Sequence, residues 1–106
     1  MTAVLKVVRK GEEVRRVNVT RSDIEAALRV WDQNPHEWRT ARANERAIRF
    51  GNRYYPPKEI ARIAVELKEE LPVGHLQSHE LTVNNTKICF EKLSFDYCYP
   101  DDITDD

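Results

Sequence analysis

Apolar residues cluster first in the N-terminal twenty positions. Val4, Leu5, Val7 and Val8, then Val14, Val17 and Val19, lie on either side of Gly11-Glu12. β-Branched residues flanking a glycine turn predict an antiparallel hairpin, although Val7-Val8 breaks the alternation that would define its inward face. Ser22-Asp23-Ile24-Glu25 has the form of a capping box, with Ser22 as N-cap and Glu25 reaching back. Ile24, Ala27, Leu28 and Trp31 follow at i, i+3, i+4 and i+7, the apolar stripe of a helix. Asn34-Pro35 ends that helix and opens a short second one, with Trp38 and Ala41 on its buried side.

The middle of the chain changes period. Residues 46–50 and 53–55 surround Gly51-Asn52, a two-residue loop of the tight-hairpin kind, and Ile48 and Phe50 alternate with Arg49. Pro56-Pro57 opens the strongest helix, lined by Ile60, Ile63, Ala64, Leu67 and Leu71 and closed by Pro72. Residues 73–82 read as a loop with one helical turn. Asn84 is the expected cap of a last helix, with Val83 and Ile88 as a hydrophobic staple and Phe90 and Leu93 on the buried side. Asp96–Tyr99 is the expected closing strand. The order β-β-α-α-β-β-α-α-β predicts a small single α+β domain over residues 1–100. It has an N-terminal β-hairpin, a central β-hairpin, about four helices and an acidic tail at 101–106.

Composition narrows the class. A chain of 106 residues with 41% hydrophobic and 33% charged positions suits one domain. Cys89 and Cys98 are too few for a disulfide scaffold. No apolar run reaches the ~18 to 20 residues of a membrane span, and the first twenty residues contain no signal-peptide core. A soluble cytoplasmic protein is the expectation. The net charge of −1 conceals an asymmetry, since residues 1–62 are basic on balance and residues 63–106 acidic. Such a division suggests a face for a polyanion and a solvated acidic end.

Catalytic and metal-binding signals are weak. His75 and His79 are four apart, but Leu76 stands where a His-Glu-x-x-His motif needs glutamate. Cys89 and Cys98 lack C-x-x-C spacing, and Cys89 reads as a small core residue. The chain contains no Gly-rich phosphate loop. No enzyme, metal or cofactor is expected. Trp31 and Trp38 fall in helical stripes and belong to the core. Tyr54 and Tyr55 are adjacent in a strand and face opposite sides, so one is exposed beside Arg53.

Residues 46–64 read Arg-Ala-Ile-Arg-Phe-Gly-Asn-Arg-Tyr-Tyr-Pro-Pro-Lys-Glu-Ile-Ala-Arg-Ile-Ala. This segment resembles the N-terminal head module of McrA-like modification-dependent restriction endonucleases. In that family a strand, a tight glycine turn and an Arg-Tyr pair run into Pro-x-Lys and an apolar helix. Gly51, Arg53, Tyr55, Pro57, Lys58, Ile60 and Ala64 match in order. The likeness extends over about residues 22–97, with Phe90, Leu93, Ser94 and Phe95 standing for the family's last helix. It departs where the family's Gly-Gly falls on Thr82-Val83 and its Thr-Asn on Thr86-Lys87.

The resemblance implies a DNA-binding module that senses modified bases, of the kind found in defence by restriction and modification. No nuclease domain is legible, so no nuclease activity of its own is expected. The implied contacts are Arg39, Arg42, Arg46, Arg49, Arg53, Tyr55 and Lys58, with double-stranded DNA as partner and a nuclease or other protein beside it. The alternative is a small protein-interaction subunit or inhibitor that engages a basic partner through its acidic C-terminal half.

Overall fold

The computed structural model describes residues 1–33 and 47–98. The helix expected after Asn34-Pro35, Tyr99 and the acidic tail lie outside these residues. Strand β1 (Thr2–Arg9) pairs antiparallel with β2 (Glu12–Thr20), and helix α1 (Arg21–Gln33) follows without a break. Strands β3 (Ala47–Phe50) and β4 (Arg53–Tyr55) form the central hairpin. Helix α2 (Pro57–Lys68), a 3₁₀ turn (Ser78–Glu80), helix α3 (Val83–Lys92) and strand β5 (Asp96–Cys98) complete the order. β5 joins the far side of β3, giving a second antiparallel sheet of order β4-β3-β5. This is an α+β domain with three described helices.

The N-terminal hairpin turns on Lys10-Gly11 rather than Gly11-Glu12, because both residues take left-handed φ (52° and 80°) and Arg9 pairs with Glu12. Two consecutive positive φ values are what a tight turn needs to match the twist of its strands. The broken alternation at Val7-Val8 has a structural cause. The register shifts there, Val7 opposing Arg15 and Val8 opposing Glu13, so that Val14 is an extra residue in β2. Ala3, Leu5, Val7, Val17 and Val19 form the buried face of the hairpin.

The cap of α1 lies two residues before the expected one. Thr20 Oγ1 accepts from the Asp23 N–H (3.2 Å), and Asp23 Oδ2 accepts from the Thr20 N–H (2.8 Å). The reciprocal box is therefore Thr20–Asp23, while Ser22 is an exposed residue of the first turn. Ile24, Ala27, Leu28 and Trp31 are buried as the periodicity predicts.

α2 is the centre of the core. It touches α1, α3 and β2, so cover comes from several directions and the whole run Ile60–Glu66 is buried rather than a single stripe. Fully burying an isoleucine such as Ile60 or Ile63 contributes roughly 1.5–3 kcal/mol. Leu67, expected inside, is 38% exposed. The helix also stops short of Leu71. Glu70 takes a left-handed φ of 59°, its N–H bonds to the Leu67 carbonyl, and the Leu71 N–H returns to the Glu66 carbonyl. That is a Schellman ending on a residue other than glycine.

Thr82, not Asn84, caps α3, its Oγ1 accepting from the Asn85 N–H at 3.2 Å. The staple positions move with the cap to Leu81 and Thr86, both buried, while Val83 and Ile88 are 55% and 54% exposed. Phe90 and Leu93 are buried as expected. Asn85 spends its side chain on the outer edge of β1, accepting from the Lys6 N–H (2.8 Å) and donating to the Val4 carbonyl (3.0 Å). A strand edge left open is a pairing hazard, and one amide here covers it at these two groups. Among the described residues no helix is long and apolar enough to cross a membrane.

Candidate nucleic-acid interface

The candidate site is the β3–β4 hairpin and the start of α2. Gly51 has φ 63°, a left-handed value that favours glycine. With Gly51-Asn52 as the turn, Phe50 opposes Arg53, Arg49 opposes Tyr54, and Ile48 opposes Tyr55. Residues directly opposite share a face of the sheet, and successive residues alternate. Arg49 and Tyr54 therefore lie side by side on one face, next to Asp96 of β5, while Ile48 and Tyr55 lie on the other.

That division separates the residues the sequence grouped together. Tyr55, expected to touch DNA, is 2% exposed. Its hydroxyl donates to the Asp32 carboxylate at 3.0 Å, and burial followed by the Asp32 charge pushes its pKa above the ordinary phenol value. Tyr54 is the half-exposed member of the pair. Arg53 shares the Tyr55 side, with Nη1 3.0 Å from Asp32 Oδ1 and its guanidinium 5.9 Å from the Tyr55 ring centroid. Asp32, near the end of α1, thus ties the hairpin to the helix bundle. Tyr55 is corrected from a ligand contact to a core anchor, and Arg53 is half occupied by that anchor.

Arg49 is exposed and has no ion-pair partner among the described residues. Lys58 is likewise unpaired there, in the first turn of α2. Pro56 precedes that turn and supplies no side-chain cap. Since Pro57 has no N–H and the Ile60 N–H bonds the Pro56 carbonyl, the Lys58 and Glu59 N–H groups are the ones the helix itself does not satisfy. Arg39, Arg42 and Arg46 lie outside the described residues. Tyr54 was available to sequence reasoning by counting back from the two-residue turn, which sets Tyr55 against Ile48.

The two charged halves of the chain meet inside the fold. Arg9 bonds Glu80, Arg15 bonds Glu69, Lys68 lies 3.2 Å from Asp23, and Arg62 lies 2.9 Å from Glu66. Three acidic residues of the C-terminal half are therefore engaged by arginines of the N-terminal half. Among the described residues Lys6, Lys10, Arg29, Arg49, Lys58, Lys87 and Lys92 are in no ion pair, and of these Arg49 and Lys58 lie at the candidate site.

The other chemistry-bearing residues lie apart from this hairpin. Burial pushes the Cys89 thiol up to about 12, far from the thiolate a nucleophile needs. His75 and His79 are exposed. Among the described residues no three His, Cys, Asp or Glu side chains gather as a metal site. No family model matches this chain, and no curated protein or solved structure matches it either.

Proposed function

We propose that this chain is a DNA-binding module without nuclease activity of its own, and that modified bases are part of what it senses. The reading rests on one observation above the others. Among the described residues Arg49 and Lys58, at the hairpin and the start of α2, are in no ion pair, while Arg9, Arg15, Arg53 and Arg62 are engaged by carboxylates. A charge held out of internal ion pairs and beside a half-exposed tyrosine suits phosphate and sugar contact. The uncapped start of α2 adds N–H donors of the right sign. Asp96, beside Arg49 on the sheet, supplies an acceptor for a base amino group. The resemblance of residues 46–64 to McrA-like head modules supports the same target and supplies the part about modification.

The test is a salt titration of binding to plain and 5-methylcytosine duplexes, followed by fluorescence anisotropy. Affinity falls with salt by about 0.9 log units per decade for each phosphate contacted. Arg49→Ala with Lys58→Ala weakens binding to every duplex and lowers that slope by about 2. Equal affinity for the two duplexes removes the modification claim and leaves the phosphate claim standing. No binding at low salt, or an unchanged slope in a correctly folded double mutant, removes both.

A further inference from the structure

Away from the β3–β4 hairpin, the N-terminal hairpin opens a cleft of about 260 Å³ against the end of α2 and the loop that follows it. The bulge in β2 builds this cleft. A bulge sets two consecutive side chains against one partner and re-aims them, and here Val14 and Arg15 stand against Val7. Val7, Val65 and Leu76 line the cleft and are themselves buried. Val14 lines it too, yet is 53% exposed. An apolar side chain has been turned into a hollow and left uncovered.

The rest of the lining is cationic or neutral. Arg9, Arg15 and His75 contribute, and among the described residues no carboxylate does. Arg9 gives its Nε to Glu80 and Arg15 one Nη to Glu69. Those bonds steady each guanidinium while leaving it other N–H groups that no described residue takes. Both side chains keep half or more of their surface in solvent, 56% for Arg9 and 50% for Arg15.

We propose that this cleft binds a small carboxylate with an apolar body. The body lies against Val7, Val14 and Leu76, and the carboxylate takes the remaining guanidinium donors. A planar fork of N–H groups matches a carboxylate better than a point charge does. Size limits the body. An apolar cavity of about 150 Å³ holds benzene, so this cleft suits one substituted ring or a chain of roughly eight carbons. It is a small site compared with the ~300–1,000 Å³ of drug-sized pockets. The proposal is independent of DNA binding, since none of these residues belongs to the β3–β4 hairpin.

The experiment is an amide-resolved NMR titration of the whole chain with octanoate, with octylammonium and 1-octanol as matched probes. Octanoate should give saturable shifts at Val7, Val14, Leu71 and Leu76, with affinity about tenfold above either control (~1.4 kcal/mol). Arg15→Gln should weaken octanoate about fivefold or more (~1 kcal/mol) and leave 1-octanol unchanged. Val14→Asp, at an exposed position where folding is retained, should abolish octanoate shifts, whereas Arg49→Ala should leave them intact. Shifts that do not saturate, shifts mapping away from the cleft, or equal affinity for octylammonium would each overturn the proposal. So would full octanoate binding by Val14→Asp with an otherwise unchanged spectrum.

Discussion

Glu66 and Arg62 lie one turn apart on α2 and form an ion pair inside the core, with 0% and 3% of their side-chain surfaces exposed. Glu66 takes the Arg62 Nη1 at 2.9 Å and also the backbone N–H groups of Gly74 (3.1 Å) and Leu76 (2.7 Å). Glu59 Oε1 lies 2.9 Å from the same guanidinium, so Glu66 shares the buried cation with Glu59 and alone pins the loop after α2. Glu66→Gln leaves Arg62 with Glu59 as its carboxylate, so the cost should stay below the about 3–5 kcal/mol of a buried charge left with no counter-charge. The urea midpoint should fall accordingly. The Leu76 amide should also lose more hydrogen-exchange protection than the Ile63 amide. Equal losses at the two amides would mean that Glu66 does not hold the loop.

Tyr54 and Tyr55 should behave as opposites. Tyr55→Phe deletes a hydrogen bond to a charged carboxylate and costs about 1.5–3 kcal/mol of stability, with DNA affinity unchanged. Tyr54→Ala, on the face with Arg49, should leave the denaturation midpoint nearly in place. It should weaken DNA binding by about 1 kcal/mol or more if the ring stacks on a base. Measuring both properties in both variants separates anchor from contact. A DNA defect in Tyr55→Phe alone would restore the tyrosine that the family pattern singles out.

Acid stability should depend on Glu80. The Arg9 side chain first, and then the Gln77 N–H, hold its carboxyl below the usual carboxylate range. A group whose pKa is lower in the folded state than in the unfolded one contributes stability above its unfolded pKa. That contribution disappears as pH falls through the folded value. The wild type should lose stability as pH falls past the unfolded glutamate pKa near 4.3 and on through the lower folded value. Glu80→Gln should start from a lower plateau at neutral pH and lose less over that window. Parallel stability curves for the two proteins would sink this assignment.

The element order was readable because long periodic segments and the Gly51-Asn52 turn each allow one solution. Ile24, Ala27, Leu28 and Trp31 are inside for the reason their spacing states. Helix ends were not readable, because the usual punctuation is missing. Glu70 and Ser94 take the left-handed positions that glycine normally marks, so the sequence carries no stop signal before Pro72. The one-sided stripe on α2 failed for a tertiary reason: pattern reports which face is apolar, not how many neighbours cover the helix. At the candidate site, Arg49 was singled out by its charge, and Lys58 by its charge together with the family pattern. Tyr55 was assigned to DNA by resemblance, against the strand register that sets it beside Ile48. Two of the ion pairs that close the charge asymmetry, Arg15–Glu69 and Arg9–Glu80, span 54 and 71 positions, and no local pattern announces them.

The start of α1 offers the sharpest contrast between sequence pattern and structure. Ser22 and Thr20 are both hydroxyl residues two positions apart, and each is followed by an acid three residues on. Only Thr20 makes the reciprocal bonds with Asp23. The Asp23 carboxyl sits below its ordinary pKa. Partial burial pushes it up, but the Thr20 N–H and the Lys68 ammonium 3.2 Å away together outweigh that push. Thr20→Ala removes the hydroxyl that satisfies the Asp23 N–H and should cost about 1 kcal/mol, within the range of roughly 0.5–2 for lost caps. Ser22→Ala removes an exposed hydroxyl from the first turn and should stay within about 0.5 kcal/mol of wild type. Alanine is also the better helix former there, so the change can even be favourable. Asp23→Asn should resemble Thr20→Ala at neutral pH, because it weakens both the cap and the Lys68 pair. Urea midpoints of the three variants decide the matter. A loss in Ser22→Ala as large as that in Thr20→Ala would move the helix start two residues along, to where the capping-box motif places it.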